Sequence, residues 1–413
     1  MAAPTRILML LENCGYPEDI RVLLEARSLT EAGYRVAVIC PREARQAWYD
    51  VLDGVAVYRY PAPPEATSFW GYLWEYGYAL TASFAISLGV WLRHGFDIVH
   101  AHNPPDLFWL IAAFYKLLPG GVRFVFDHHD LAPEMYTVRF EHGGNRWAHR
   151  VLYGLERLSH RLADHVIVVN ESYKRIAMTR GRVPESRLTV VRNGPDVALL
   201  NAARSEALPV VVEAAEGRTI LAYVGVMGYQ DGLDYLLRAL HHLVHDLGRS
   251  DFACVLIGQG DAYADLQATT SALALEDYVI FTGWVDYDQV GSYLQAADIC
   301  VAPEPSNPYT DLSTTIKMME YMALGKPIVA FELPEHQWTA REAALYARPN
   351  DELEFARHLA ALMDDPERRQ QMGAYGRNRI ETELAWPYQA KHLIEAYAAL
   401  TARDDDNEMA RAT

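Results

Sequence analysis

Residues 311–330 read D-L-S-T-T-I-K-M-M-E-Y-M-A-L-G-K-P-I-V-A. Ser313, Thr314 and Thr315 carry the short hydroxyls that cap free N–H groups at a helix start. Residues 316–324 are good helix formers, Gly325 stands where a left-handed C-terminal residue is wanted, and Pro327 follows. Residues 328–330 then read as a short buried strand. A helix start with several free N–H groups is a ready anion site. Lys317 lies on the first turn, and Glu320 stands three residues on, close to the same face. A phosphate at the helix start, with a carboxylate one turn further in for ribose hydroxyls, suits a nucleotide. A capped core helix with a surface Lys and Glu is the plain alternative, and this stretch alone does not separate the two.

Outward from this stretch, strand-like runs alternate with helical patterns, as in parallel α/β folds. In the first half, residues 6–11, 36–40, 97–101, 123–127 and 165–169 read as strands, and residues 19–32 as a helix ending at Gly33. The pattern restarts with strands at 219–224, 252–257, 279–281, 299–302 and 328–331, and a helix at 233–247. Two doubly wound sheets joined near residues 192–218 are the expected outcome. Residues 403–413 are acidic and polar and read as a disordered tail.

The chain has 413 residues, enough for two domains, and 51% are apolar. Its formal charge of -17 lies entirely in the second half. Residues 1–200 hold 21 basic and 21 acidic side chains, and residues 201–413 hold 16 and 33. That imbalance argues against a nucleic-acid surface on the second half and leaves the first half free to approach an anionic membrane or substrate. Cys14, Cys40, Cys254 and Cys300 lack metal-ligand spacing and read as reduced thiols of a cytoplasmic protein. The apolar run 7–11 is too short for a signal-peptide core. Residues 76–92 carry no formal charge over 17 positions, the lower limit for a membrane span. Thr81, Ser83 and Ser87 dilute that run, and Trp70, Tyr72, Trp74, Tyr76 and Tyr78 crowd its start. A buried helix with an interfacial aromatic end is the better reading.

Several turns carry candidate chemistry. The first βα turn, L-E-N-C-G-Y-P-E-D-I-R at 11–21, has one glycine, Gly15, so a dinucleotide fingerprint is absent. Asp127-His128-His129-Asp130 follows a strand, with Glu134 close behind. Adjacent histidines on a loop point apart, and no third His or Cys sits at zinc spacing. A single histidine at a strand's carboxyl end is therefore preferred to a metal site. The turn V-G-V-M-G-Y-Q-D-G-L-D at 224–234 has Gly225, Gly228 and Gly232, which allow close backbone approach, and no Lys or Arg. A pyrophosphate there would be held by N–H groups and the helix dipole, unless the glycines serve chain reversal alone. Trp284, in F-T-G-W-V at 281–285, either covers a nucleobase edge or packs between sheet and helix.

Taken together, these segments resemble the family 4 glycosyltransferases of the GT-B fold. The matching pieces include P-E-D-I-R-V-L-L-E-A-R-S-L-T-E-A-G-Y-R-V-A-V-I-C at 17–40, D-I-V-H-A-H-N-P-P-D at 97–106 and F-D-H-H-D-L-A-P-E at 126–134. They continue with A-D-H-V-I-V-V-N-E-S at 163–172, V-V-R-N-G-P-D at 190–196, A-A-D-I-C-V-A-P at 296–303 and K-M-M-E-Y-M-A-L-G-K-P-I-V at 317–329. The resemblance implies two Rossmann-like domains facing across a cleft. Residues 1–192 would bind the acceptor, residues 193–384 the nucleotide-sugar, and a helix at 385–402 would cross back to the first domain. It also implies retention of anomeric configuration, no metal, and no cofactor beyond the nucleotide-sugar as co-substrate. Glu320 matches the residue that holds the donor ribose, and Ser313-Thr314-Thr315 the loop that holds the distal phosphate. Trp284 matches the stretch along the base, and Gly225, Gly228 and Gln230 lie in the donor turn. His129 matches the histidine beside the acceptor and the reacting carbon, with Gly15, Asp19, His102, Asp130 and Glu134 on the acceptor side.

Two departures stand out. The family commonly has a second Glu eight residues before the ribose Glu. Here position 312 is Leu, with Asp311 beside it as the candidate sugar contact. The family also has an Arg and a Lys in the Gly-rich turn, where this chain has Val226 and Asp231. Lys317, Lys326 and Arg192 are the candidate replacements. The expected activity is transfer from a nucleotide-diphosphate sugar, UDP-sugar first, to a hydroxyl of a saccharide or lipid-linked saccharide. It would take place in the cytoplasm or peripherally at the membrane's inner face, with no nucleic-acid partner. The rivals are an epimerase on the same fold and a non-catalytic binding partner.

Overall fold

The computed structural model describes residues 4–43, 45–63, 69–119, 121–139, 145–195, 197, 200 and 217–412. For residues 69, 70, 72, 139, 287, 288 and 403–412 the description is of backbone alone. The chain divides into two compact units. The first runs to Asn193 and takes in the residues from Pro387 on; the second is Gly194–Trp386. Most of the join expected at 192–218 lies outside the described residues.

The first unit holds an eight-stranded sheet in the order β3-β4-β2-β1-β5-β6-β7-β8. Its strands are β1 (Arg6–Leu10), β2 (Arg35–Arg42), β3 (Tyr49–Leu52), β4 (Val55–Pro61), β5 (Ile98–His102), β6 (Arg123–His128), β7 (His165–Val168) and β8 (Leu188–Val190). Its helices are α1 (Ile20–Glu31), α2 (Phe69–His94), α3 (Trp109–Lys116), α4 (Ala132–Arg139), α5 (Arg146–Leu162) and α6 (Glu171–Thr179). All pairings are parallel except β3 with β4. That hairpin turns at Asp53-Gly54, both at positive φ, and the Asp-Gly pair was its unread sequence signal.

The second unit holds a six-stranded parallel sheet in the order β11-β10-β9-β12-β13-β14. Its strands are β9 (Thr219–Val224), β10 (Phe252–Ile257), β11 (Val279–Gly283), β12 (Ile299–Ala302), β13 (Ile328–Phe331) and β14 (Ala344–Ala347). Its helices are α7 (Leu233–His245), α8 (Tyr263–Ala272), α9 (Tyr287–Ala296), α10 (Ile316–Ala323), α11 (Pro334–Ala340), α12 (Glu352–Met363) and α13 (Pro366–Arg379). Every residue of β10, β12 and β13 is buried, as parallel strands covered on both faces must be. That is why they read as continuous apolar runs.

The last helix, α14 (Trp386–Ala412), groups with the first unit from Pro387 on. There the Tyr397 hydroxyl meets His100 Nδ1 at 2.8 Å, and Gln389 Oε1 accepts from the Arg192 N–H at 3.0 Å. The tail read as disordered instead continues this helix to Ala412. Ala, Arg, Glu and Met favour helix, and propagation from a formed helix needs no new nucleus. Among the described residues no helix is long and apolar enough to cross a membrane. Helix α2 leaves Leu73 and Trp74 exposed near its start, while the side chains of Trp70 and Tyr72 lie outside the described residues.

Candidate active site

In the second unit the strand order reverses at β9, whose neighbours are β10 on one side and β12 on the other. Open α/β sheets bind ligands at the carboxyl ends beside such a switch point. The 225–232 turn follows β9, Pro303-Glu304-Pro305 follows β12, and α10 starts nearby. Gly232, at φ 70°, lies so near the Pro303 carbonyl that a Cβ would sit 2.1 Å from its oxygen. A Cβ on Gly258 would sit 2.1 Å from the Gly225 carbonyl oxygen. Here glycine is required for backbone-to-backbone approach.

The turn's amides were expected to hold a pyrophosphate. Several have protein partners instead: Gly225 N–H donates to Ile257 O at 3.1 Å, Met227 N–H to Gln259 O at 3.1 Å and Gly228 N–H to Asp231 Oδ2 at 3.1 Å. Gln230 and Val226 are exposed on the turn.

Lys317 is also placed differently from the expectation. Its ammonium is buried and donates to Glu304 Oε1 at 2.7 Å, Tyr223 OH at 2.9 Å and Asp231 Oδ1 at 3.3 Å. An ammonium has three N–H donors, so all three are taken and none is left for a phosphate. Burial works against the charge, but Glu304, Tyr223 and Asp231 hold the Lys317 pKa well above the usual lysine range. Burial pushes Asp231 up despite Lys317, whereas Glu304, also opposed by burial, is drawn down by Lys317 and His336. Tyr223 OH in turn donates to Val226 O at 3.2 Å. Lys317 is thus a strut under the turn, in the place of the turn's missing base. Of the other two candidates, Lys326 donates to Gln295 O and Ala297 O, both at 2.7 Å, and Arg192 is buried in the first unit.

The start of α10 differs from its expectation in a useful way. Thr315 stands at the N-cap with extended backbone, but no side chain caps the helix. Ser313 Oγ donates to Tyr309 O at 2.9 Å, and Thr314 Oγ1 to Glu335 Oε2 at 3.2 Å. The first-turn amides therefore point out of the helix start uncapped by hydroxyls. Glu320 follows on the next turn, buried. Asp311 accepts from Ser306 Oγ at 3.1 Å through Oδ2, while its Oδ1 is buried without a hydrogen-bond partner. Trp284 is 70% exposed beyond β11, so it does not pack between sheet and helix.

In the first unit the chemistry gathers at the end of β6. Asp127 is fully buried, and Arg21 from the first turn of α1 grips both its oxygens, Nε to Oδ2 and Nη2 to Oδ1, each at 2.7 Å. His102 Nδ1 lies 2.9 Å from Asp127 Oδ2, and His129 Nδ1 lies 3.2 Å from the same atom. Asn103 Oδ1 accepts from the backbone N–H of His129 at 2.8 Å and of Asp130 at 3.1 Å, which fixes the loop. Burial disfavours an imidazolium, but the charge and hydrogen bond of Asp127 outweigh it and lift His129 to about 9. Burial likewise opposes the Asp127 carboxylate, yet Arg21 and His129 hold it well below the usual range. His128 points away and packs on His160, with Nδ1 3.2 Å from His160 Nε2.

The other acceptor-side candidates divide. Asp19 is the N-cap of α1, accepting from the Val22 N–H at 3.1 Å. Glu134 is tied to Arg180 at 2.6 Å, so it serves an ion pair that also holds Glu156. Gly15 is buried in the first turn, and Asp130 is half-buried beside His129. Glu25, His100, His102 and Asp127 place ligand atoms within 4.8 Å of one another, a donor set of metal-binding type. Arg21 already grips Asp127 and lies 3.1 Å from Glu25, so a cation there would compete with a guanidinium. Sequence reasoning missed Arg21, Asn103 and Glu304, and it named Asp127 within the 127–130 cluster without a role of its own. An Arg and a Glu four apart in an apolar helix, and an Asp inside F-V-F-D-H, were the available signals.

Two family models match the chain: "Glycosyltransferase Family 4" over residues 20–199 and "Glycosyl transferases group 1" over residues 218–365. A 2-deoxystreptamine glucosyltransferase of Streptomyces kanamyceticus is 24% identical over 84% of this chain and 90% of its own. An alpha-maltose-1-phosphate synthase of Mycolicibacterium smegmatis is 26% identical over 74% of this chain and 79% of its own. Among solved structures, sucrose-phosphate synthase from Thermosynechococcus elongatus superposes with a TM-score of 0.77 at 19% identity, covering 97% of this chain and 100% of its own. Anabaena Alr3699/HepE in complex with UDP and glucose gives 0.70 at 16% identity over 96% of this chain and 100% of its own. With two Rossmann-like parallel-sheet units and both family models in register, the chain belongs to the family 4 glycosyltransferases and has the GT-B fold.

Proposed function

We propose that this glycosyltransferase is a retaining enzyme that moves a sugar from a nucleotide-diphosphate sugar, a UDP-sugar first, to an acceptor hydroxyl. The observation that carries this reading is the uncapped start of α10, with Glu320 one turn in, beside the switch point of the second sheet. The amides of 316–318 take the distal phosphate, Glu320 the ribose hydroxyls, and Asp311 Oδ1 a hydroxyl of the transferred sugar. Trp284 lies along the base. In the reaction the bond from the anomeric carbon to the diphosphate breaks and a bond to the acceptor oxygen forms on the same face. The acceptor proton passes to the leaving phosphate. His129, as an imidazolium, stabilises developing negative charge near the acceptor. No metal or further cofactor is invoked, because Lys317 already balances the carboxylates nearest the turn, Asp231 and Glu304. Glucosyl transfer by the Streptomyces relative and the UDP and glucose bound to the Anabaena neighbour favour this donor class. For the acceptor we propose a lipid-linked saccharide in polysaccharide or glycoconjugate synthesis, with the exposed Leu73 and Trp74 of α2 meeting a membrane's inner face.

Incubation with UDP-sugars, with and without a saccharide acceptor, followed by NMR of the product's anomeric centre, tests the reading. Transfer with retained configuration is expected. A changed sugar from donor alone marks an epimerase, and nucleotide binding without turnover marks a binding partner. Glu320→Gln is expected to weaken UDP affinity by about 1.5–3 kcal/mol, the range for hydrogen bonds to a charged group. Equal affinity in variant and parent, measured by calorimetry, removes Glu320 from the site.

A further inference from the structure

Helix α5 and the segment 181–187 that leads into β8 line a cavity of about 620 Å³, the size of a small-molecule site. Arg157 and Arg161 of α5, with Arg182 and Arg187 of the segment, give it four guanidinium groups, and Leu158 gives it an apolar wall. Among the described residues none of these four forms an ion pair, although Arg21, Arg27, Arg180, Arg238 and Arg249 elsewhere all do. The acids nearest in sequence are engaged elsewhere. Glu156 is buried and paired with Arg180 at 2.7 Å, and Glu185 is paired with Lys174 at 2.7 Å. Like charges around one cavity repel one another, and an anion between them removes that repulsion.

The wall also holds His160, which is fully buried and whose Nδ1 has no hydrogen-bond partner. Burial, helped by Arg180, lowers His160 to about 3, so its ring is neutral. A neutral imidazole donates from one nitrogen and accepts at the other. His160 Nε2 lies 3.2 Å from Nδ1 of His128, the residue before His129. Gly181 packs on the same ring, since a Cβ there would fall 2.6 Å from His160 Nδ1. One residue earlier, Arg180 holds Glu134 at 2.6 Å, on the helix that follows the His129 loop. Two chains of contact therefore run from the cavity to that loop, one through His160 and His128, the other through Arg180 and Glu134.

We propose that this cavity is a regulatory site for a small soluble phosphate monoester, and that its occupancy reaches His129 through His160 and His128. Guanidinium groups match phosphate oxygens in pairs, and one dianion answers several of them at once. A phosphate oxygen accepts from His160 Nδ1–H. His160 Nε2 must then accept from His128 Nδ1–H, so both tautomers are fixed. None of the residues given to the donor or the acceptor lines the cavity. The coupling rests on the role proposed for His129; the site does not.

Calorimetric titration of the full chain with glycerol 3-phosphate and with inorganic phosphate, each with and without saturating UDP, tests the site. One-to-one binding of the ester is expected, unchanged by UDP. The R157Q/R161Q double variant should lose about 100-fold in affinity, at about tenfold for each charged hydrogen bond. Both arginines are exposed, so matching thermal unfolding of variant and parent confirms folding. Nitrogen NMR of ring-labelled histidine tests the coupling. The ester should bring His160 and His128 to single tautomers and shift His129, with no such change in the double variant. Failure of the parent to bind either probe, displacement by UDP, or undiminished binding by R157Q/R161Q overturns the site. So does binding of phosphatidic acid vesicles by a chain that ignores the soluble ester, since the occupant is then a lipid. Unmoved His128 and His129 signals at saturation overturn the coupling and leave the role of His129 to the turnover of its own variant.

Discussion

His129→Ala lowers turnover about 10²–10³-fold, with UDP affinity unchanged within error. That is the loss expected when one preorganised donor to developing charge is removed, about 2.7–4 kcal/mol of transition-state stabilisation. The warrant is local. Asp127 holds His129 Nδ1 at 3.2 Å, Asn103 pins its backbone, and Arg21 keeps Asp127 ionised. The affinity is spared because every residue proposed to hold the nucleotide belongs to the second unit. The pH dependence has a definite sign. His129 is raised from 6.5 to about 9, so its charged pairing with Asp127 is fully present below 6.5 and is lost as pH rises through about 9. Turnover is therefore flat across neutral pH and falls on the alkaline side, and the alanine variant lacks that limb. Glu25, raised by burial from 4.5 to about 8 against the pull of Arg21, loses its proton in the same direction. Thermal unfolding across the same pH range separates loss of fold from loss of the imidazolium. A rate that climbs with pH between 6 and 7 would make the neutral imidazole the working form and contradict this role.

Lys317→Met destabilises the second unit by about 3–5 kcal/mol, since breaking a buried ion pair from one side strands the remaining charges. Glu304 and Asp231 would face each other without the ammonium, and Tyr223 would lose the donor that orients it under the turn. Thermal unfolding is the first readout. The second compares UDP with uridine. If the variant unfolds like the parent yet loses UDP alone, the ammonium serves the phosphate directly and the strut assignment falls.

The alternation of strands and helices was legible because both sheets are parallel and buried, so each strand is an unbroken apolar run. The restart at Thr219 marked the second sheet for the same reason. The β3–β4 hairpin escaped because β3 is a four-residue edge strand with no buried side chain, so it carries no apolar run, and β4 has no hairpin partner in the sequence without it. At the site, the resemblance picked out α10 and His129, but it could not show what Lys317 touches. Three acceptors from β9, the turn and the β12 loop converge on its ammonium, and those segments are 13 to 94 residues away in sequence. The partner of Glu134 was hidden on similar grounds, since Arg180 lies 46 residues further on. Helix-capping logic also needed correction at Ser313 and Thr314, whose hydroxyls turn to Tyr309 and Glu335 instead. Local spacing reports candidates, and tertiary partners decide what their charges do.

The central claim is that the second unit holds a nucleoside diphosphate at the start of α10 without a basic side chain from the turn. Calorimetric titration of the intact chain with UDP, GDP and uridine tests it most directly. The account predicts saturable one-to-one binding of UDP, with uridine clearly weaker because it lacks the phosphates that the helix start receives. No binding of either diphosphate, or equal affinity for UDP and uridine, would contradict it.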